Sequence, residues 1–277
     1  MKETRDFSVL MSVYSKEKPE YLERALRSIT DDQDLLPSEI VLVEDGPLSN
    51  ELYSTIAKYL SKYKDILKIV KLDENRGLGN ALRIGLTHCT NEIVARMDSD
   101  DISLPWRFRV QYNFFIEHNF DVVGANILEF EGDENNVVGM RKVPELHDDI
   151  VAYSKRRNPM NHPAVMFKKG SVLNVGSYEE IKGFEDYYLW VKMIRNGCIF
   201  YNIQQPLLKF RTGKGMIKRR GSFNYSSTEV NFFKTLHEIG YINQSEYLKI
   251  VFIRTLFRIL PNNFRLFLYR KFLRERT

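Results

Sequence analysis

Apolar runs and helical stripes alternate along the first 120 residues. Residues 7–14 form an apolar, β-branched run that reads as a buried strand, and residues 21–29 follow with apolar positions at helical spacing. The same alternation recurs: a strand over 39–43, a helix over 52–63, a strand over 66–72, a helix over 78–86, a strand over 92–97 and a helix over 106–116. Pro105 stands just before this last helix, where a missing N–H costs least. Strands separated by helices through short connections predict an α/β fold, a mostly parallel sheet with flanking helices. The second half is less regular. Strands are expected over 121–130, 164–168, 199–203 and 207–211, with a helix over 186–195, and from residue 225 the pattern is wholly helical. Gly213, Gly215 and Gly221 mark a boundary, dividing the chain into a catalytic-sized unit over 1–220 and a helical extension over 221–277.

The candidate chemistry collects at predicted strand ends, where open α/β sheets bind ligands. The strand over 92–97 runs directly into Asp98-Ser99-Asp100-Asp101. Asp98 and Asp100 project to one side of an extended backbone, about 7 Å apart at the Cα. Like charges that close call for a cation between them, and a hard divalent ion with oxygen ligands, Mg²⁺ or Mn²⁺, is the natural candidate. The plainer reading is a solvated acidic turn, with Asp101 opposing a helix dipole.

Further strand ends carry Ser12, Val13 and Tyr14, then Glu44, Asp45 and Gly46, and then Asn75, Arg76 and Gly77. Asp45 suits a ribose hydroxyl or a base N–H, and Asp-Gly suits a turn equally well. Asp186 and Trp190, one helical turn apart beside Glu185, pair a carboxylate with a flat ring, a combination that fits a sugar; helix-dipole and core roles explain the same residues. His162 lies in an extended segment between Pro159 and Pro163. Lys214, Lys218, Arg219 and Arg220 lie in a glycine-containing loop that could close over a diphosphate.

Composition narrows the class. The chain has 277 residues, of which 43% are hydrophobic and 28% charged, the profile of a globular protein. Its two cysteines, Cys89 and Cys198, form no CxxC or zinc pattern. A polar N-terminus gives no signal peptide, and no charge-free run is long enough for a spanning helix, so a cytoplasmic protein is expected. The net charge of +5 is uneven: residues 249–277 hold eight Lys or Arg against one Glu, and the preceding 248 hold 33 basic and 35 acidic residues. The basic character belongs to the tail, which alternates apolar and cationic positions as a helix lying on an anionic leaflet does. Packing on the main body, with arginine stems covering apolar surface, is the other reading.

Ser8 to Tyr14, Val43-Glu-Asp-Gly46, Asn75-Arg-Gly77, Met97-Asp-Ser-Asp-Asp101 and Glu185-Asp-Tyr-Tyr-Leu-Trp190, in that order, together resemble family 2 glycosyltransferases of GT-A fold. The likeness is to bacterial enzymes of exopolysaccharide, capsule and O-antigen assembly, and covers about residues 7–220. The resemblance implies that Ser12, Val13, Tyr14, Asp45, Arg76 and Asp98 bind a UDP-sugar. It implies Asp100, with Asp98, as ligands of Mn²⁺ or Mg²⁺, and Asp186 as catalytic base. Glu185, Trp190 and His162 would form the acceptor or sugar site, with Lys214, Arg219 and Arg220 as a diphosphate lid. The implied reaction is inverting transfer of a hexose to a lipid-diphosphate-linked saccharide, giving a β-linkage, at the inner face of the plasma membrane with residues 245–277 on the anionic surface.

Two other classes compete. A sugar-1-phosphate nucleotidyltransferase shares the sheet and the acidic pair, but usually carries a glycine-rich basic loop after the first strand, where this chain has Ser15-Lys16-Glu17-Lys18-Pro19. A non-enzymatic anionic-surface binder accounts for the tail and leaves Asp98, Asp100 and Asp101 unexplained; nucleic acid is not an expected partner, since phosphates are repelled there.

Overall fold

The computed structural model describes residues 2–213 and 223–259. The expected boundary at 220/221, the loop cations Lys214, Lys218, Arg219 and Arg220, and the end of the tail lie outside the described residues. The first half is a β–α succession: β1 (Glu3–Val13), α1 (Pro19–Ser28), β2 (Leu35–Glu44), α2 (Asn50–Lys62), β3 (Leu67–Lys71), α3 (Leu78–His88) and β4 (Ile93–Asp98). A two-residue strand, β5 (Ile102–Ser103), precedes α4 (Arg107–Glu117). The second half contains β6 (Val122–Glu131), β7 (Val137–Arg141), α5 (His147–Ser154), a 3₁₀ turn (His162–Ala164), β8 (Met166–Lys168), α6 (Lys169–Asn174), α7 (Glu185–Arg195) and β9 (Phe200–Thr212). Helices α8 (Phe223–Glu238) and α9 (Gln244–Ile259) close the described chain.

One sheet holds the nine strands of the described residues, in the order β3-β2-β1-β4-β8-β6-β9-β5 with β7 paired to β6. The regular parallel arrangement with intervening helices is confined to β3-β2-β1-β4. Beyond β4 the sheet is mixed: β8 runs antiparallel to both β4 and β6, while β6 and β9 are parallel.

Side-chain alternation divides the core between the two faces of the sheet. Val9, Met11, Ile40 and Leu42 pack on one face with Leu22, Leu26, Ile56 and Phe108. Leu10, Val41 and Val43 face the other way and pack with Leu82, Leu86, Leu189 and Trp190. Strands buried on both faces explain the continuous apolar runs at 7–14 and 39–43. A third cluster lies outside α7, where Phe184, Tyr187 and Val191 meet Phe232, Phe233, Leu236, Ile242 and Ile250 of the α8–α9 segment. The rings of Phe184 and Phe232 stack 4.6 Å apart. The C-terminal helices therefore pack on the body.

The segments 199–203 and 207–211, expected as two strands, form the single strand β9, whose register against β6 shifts twice near Asn126. The polar Gln204-Gln205 and Pro206 that interrupt the apolar pattern sit at that irregularity.

Candidate active site

The ends of β1, β2 and β4 converge. In the ladders, Ser12 stands opposite Asp98 and Val13 opposite Glu44. Ser12 is half-buried, Val13 buried and Tyr14 exposed, so the strand leaves the core at the point where it meets the acidic run. Gly46 lies at φ 83°, and a Cβ there would stand 2.6 Å from the Asn75 nitrogen; only glycine lets the β2 loop touch the loop before α3 so closely.

Asp45 is held where the three elements meet. It is 3% exposed, and its two carboxylate oxygens accept the backbone N–H groups of Arg76 at 2.7 Å and Gly77 at 3.1 Å. Its own N–H donates to the Val13 carbonyl at 2.8 Å. It is thus a clamp that ties β1, β2 and the start of α3 together, the turn chemistry that the Asp-Gly pair also allowed. The Arg76 side chain is exposed, 3.5 Å from Glu74, at the rim of this loop. Neighbouring Glu44 is buried with its nearest cation, Lys71, 3.9 Å away, and burial pushes its carboxyl above the usual range.

The acidic run forms the expected cluster, and Asp101 joins it: oxygens of Asp98, Asp100 and Asp101 all lie within 4.8 Å of one another. Asp98 is ion-paired with the fully buried Arg96. Asp101 is fully buried; its Oδ1 accepts the Arg211 N–H at 2.8 Å, and its Oδ2 has no partner among the described residues. Arg211 also donates from Nε to the Asp100 carbonyl at 2.9 Å and lies 3.8 Å from the centre of the Tyr21 ring. Ser99 donates to Glu17 at 2.7 Å, which draws a further carboxylate toward the loop.

Burial and the charges of Asp98 and Glu17 push the Asp100 carboxyl up to about 7. Burial and the charges of Asp100 and Asp98 push Asp101 well above the carboxylate range. Beneath the cluster, buried Arg107 donates to the Arg96 carbonyl at 2.7 Å, and burial beside Arg96 pushes its guanidinium down to about 9. An orphaned buried carboxylate oxygen and a carboxyl held protonated by its neighbours are what an oxygen-ligand set shows before a cation relieves it. The residues fit a hard divalent ion.

Asp186 sits in the first turn of α7, where Glu185 and Asp186 oppose the helix dipole and Lys192 and Arg195 complement its far end. Its Oδ2 accepts from Asn158 Nδ2 at 2.6 Å. Burial raises its carboxyl, against the pull of Asn158 and the positive charge of Arg96. Glu185 is raised by burial as well, and its side chain lies against Gly79 at the start of α3, where a Cβ would come within 2.9 Å of Glu185 Cγ.

Two residues expected near a sugar are engaged within the protein. Trp190 is completely buried, edge-on to His162 at 6.0 Å and to Phe200 at 6.1 Å, so it is a core residue with no face for stacking. His162 shares a 3.0 Å hydrogen bond between Nε2 and the Tyr178 hydroxyl, and burial beside Arg96 holds the imidazole neutral.

Sequence reasoning passed over Arg96, Asn158, Tyr178 and Arg211. Arg96 carried a readable signal, a lone charge inside an apolar strand next to an acidic run. Asn158 and Arg211 had none, since their partners are remote in sequence.

The model for "Glycosyl transferase family 2" matches residues 8–179. Amylovoran biosynthesis glycosyltransferase AmsE of Erwinia amylovora is 39% identical over 269 residues, which cover 96% of this chain and 98% of AmsE. UDP-Gal:alpha-D-GlcNAc-diphosphoundecaprenol beta-1,3-galactosyltransferase of Escherichia coli is 37% identical over 274 residues, 99% of this chain and 98% of that protein. Among solved structures, S. aureus TarS 1-349 in complex with UDP-GlcNAc superposes with a TM-score of 0.65 at 19% identity, over 89% of this chain and 70% of that one. Mannosyltransferase PcManGT from Pyrobaculum calidifontis, in complex with GDP-Man and Mn²⁺, gives 0.62 at 17% identity, over 94% and 71%. These two likenesses show the GT-A fold.

Proposed function

This chain belongs to glycosyltransferase family 2, and we propose that it moves a hexose from a UDP-sugar to a hydroxyl of a lipid-diphosphate-linked saccharide in bacterial surface polysaccharide synthesis. The observation that carries the reading is the separation of two kinds of carboxylate at one sheet end. Asp98, Asp100 and Asp101 gather within 4.8 Å, while Asp186 stands apart on α7 with its own hydrogen-bond partner. The E. coli relative, by its name, uses UDP-Gal and a GlcNAc-diphosphoundecaprenol acceptor, so UDP-galactose is the first donor to test and a β-1,3 linkage the first product to seek.

Asp98 and Asp100 would hold Mn²⁺ or Mg²⁺, which when bound supplies Lewis-acid neutralisation of the donor's diphosphate. Ser12, Val13 and Tyr14 line the nucleotide end where β1 leaves the core, and Arg76 borders it. Asp186 takes the proton of the acceptor hydroxyl as general base. The acceptor oxygen bonds to the anomeric carbon, and the bond from that carbon to the phosphate oxygen breaks with its electron pair leaving on UDP. One base and no placed nucleophile make this a single displacement, so an α-linked donor gives a β-glycoside.

The outer face of α9 supports work at a membrane surface. Leu248 and Phe252, one turn apart, are 56% and 67% exposed, with Ile253 exposed beside them and Lys249 among them. We place the enzyme peripherally on the inner leaflet, where the acceptor lipid and anionic headgroups meet this face and the basic tail. No described helix is long and apolar enough to cross a membrane. The test of the proposal is Asp186→Ala beside the wild-type enzyme. Transfer should disappear while UDP titration is unchanged, and a variant that still transfers sugar removes Asp186 from the mechanism.

A further inference from the structure

Asn158 lies in the loop between α5 and the 3₁₀ turn, 28 residues before the carboxylate it touches. Its amide orientation is determined by the backbone. The Met160 N–H can only donate, and it does so to Asn158 Oδ1 at 3.2 Å, which turns Nδ2 toward Asp186 at 2.6 Å.

The loop itself is bolted to the sheet. Asn161 Nδ2 donates to the Ala125 carbonyl of β6 at 2.9 Å, and Asn202 Nδ2 of β9 donates to the Pro159 carbonyl at 3.2 Å. Pro159 and Pro163 limit the backbone on either side. No other side chain donates to Asp186 among the described residues. An immobile donor on one oxygen fixes the plane of the carboxylate and occupies one of its faces.

We propose that Asn158 is the positioning residue of the base. Its amide, beside the backbone N–H groups of Asp186 and Tyr187, holds Asp186 in one rotamer and stabilises the ionised form that receives the acceptor's proton. The inference rests on Asp186 being the base and adds the group that orients it. The proton passes from the acceptor hydroxyl to the Asp186 carboxylate while Asn158 keeps its hydrogen bond to Oδ2, and Asn158 exchanges no proton itself.

The other groups facing Asp186 are Arg96 from β4, Tyr178 from the segment before α7, and Glu185 on its own first turn. Arg96 favours the ionised base. Glu185 opposes it when charged, and Tyr178 is held neutral by burial.

The experiment compares Asn158→Ala and Asn158→Asp with wild type in steady-state transfer from UDP-galactose across pH. UDP titration and circular-dichroism melts run alongside. Losing one charge-assisted hydrogen bond predicts a kcat lower by about 10- to 100-fold in the alanine variant, with donor KM and UDP affinity unchanged. The aspartate variant places a second carboxylate against the base, so its acidic pH limb should move up by about one unit. Should the alanine variant fail to fold, Asn158→Ser, with its shorter donor, is read in its place and the same loss of kcat is expected. A kcat within about threefold of wild type, together with an unshifted profile in the aspartate variant, overturns the proposal. Asp186→Asn separates the two levels: if it retains transfer, the base assignment itself falls, and if it is inactive while the Asn158 variants behave as wild type, only the positioning role falls.

Discussion

Asp100→Asn should make the metal-free protein more stable while it abolishes transfer. The reasoning starts from the carboxyl's position near about 7 in the folded chain, caused by burial, Asp98 and Glu17, against about 3.9 in an unfolded one. Between those values the folded state binds the proton and the unfolded state does not, so stability falls as pH rises from about 4 to about 7 and levels off above. At about 1.4 kcal/mol per unit, the metal-free fold loses on the order of 4 kcal/mol across that window. For a chain of this length each kcal/mol moves the melting temperature by about 2–4 °C.

The assay is a set of melting curves at pH 5, 6, 7 and 8 in EDTA, repeated with Mn²⁺ at pH 7.5. Wild type in EDTA should lose melting temperature from pH 5 to 8 by on the order of 10 °C through this group, and Mn²⁺ should restore much of it. Asparagine, neutral at every pH, should reduce the slope to the part that Asp101 carries and remove the response to Mn²⁺. A variant with the wild-type slope, or one that melts lower than wild type at pH 8 in EDTA, refutes the argument that the cluster stores uncompensated charge.

Two further perturbations separate the remaining parts. Asp45→Ala removes the acceptor for the Arg76 and Gly77 N–H groups; it should cost about 2–3 kcal/mol in a denaturant titration and raise the donor KM, and an unchanged midpoint would show that the clamp is idle. Leu248→Glu with Phe252→Glu should abolish co-sedimentation with phosphatidylglycerol vesicles while transfer to a short-chain soluble acceptor persists, and full vesicle binding by the double variant would return this face to an ordinary surface.

The architecture was legible where burial on both sheet faces made strands continuous and apolar, as at Val9–Val13 and Ile40–Val43, and where helices carried a stripe, as in α2. It was not legible for α5, which buries only Ile150 and Ser154, or for β7, a half-exposed partner of β6 with too few apolar positions to signal itself. The acidic cluster was legible because three of its members are adjacent in sequence. Of its counter-charges, Arg96 was readable as a lone charge in the same strand, and Arg211 was not, since it arrives from β9, 110 residues after Asp101.

Asp45 and Trp190 show the limit of residue type as a guide. Each carries a chemistry that suits a nucleotide or a sugar, and each also has a role in the fold, Asp45 through two backbone N–H groups and Trp190 in the core, edge-on to His162. Asp186 was legible as a carboxylate at a helix start. The Asn158 amide that orients it depends on a loop anchored to β6 and β9, which no local pattern reveals.

The most direct measurement is the anomeric configuration of the product formed from UDP-galactose and a GlcNAc-diphosphate-lipid analogue with Mn²⁺, read by the one-bond coupling at the new anomeric carbon. A single displacement at this site predicts a β-galactoside, lost in EDTA and with Asp186→Ala. An α-linked product, or transfer that survives the loss of Asp186, would contradict the mechanism at its centre.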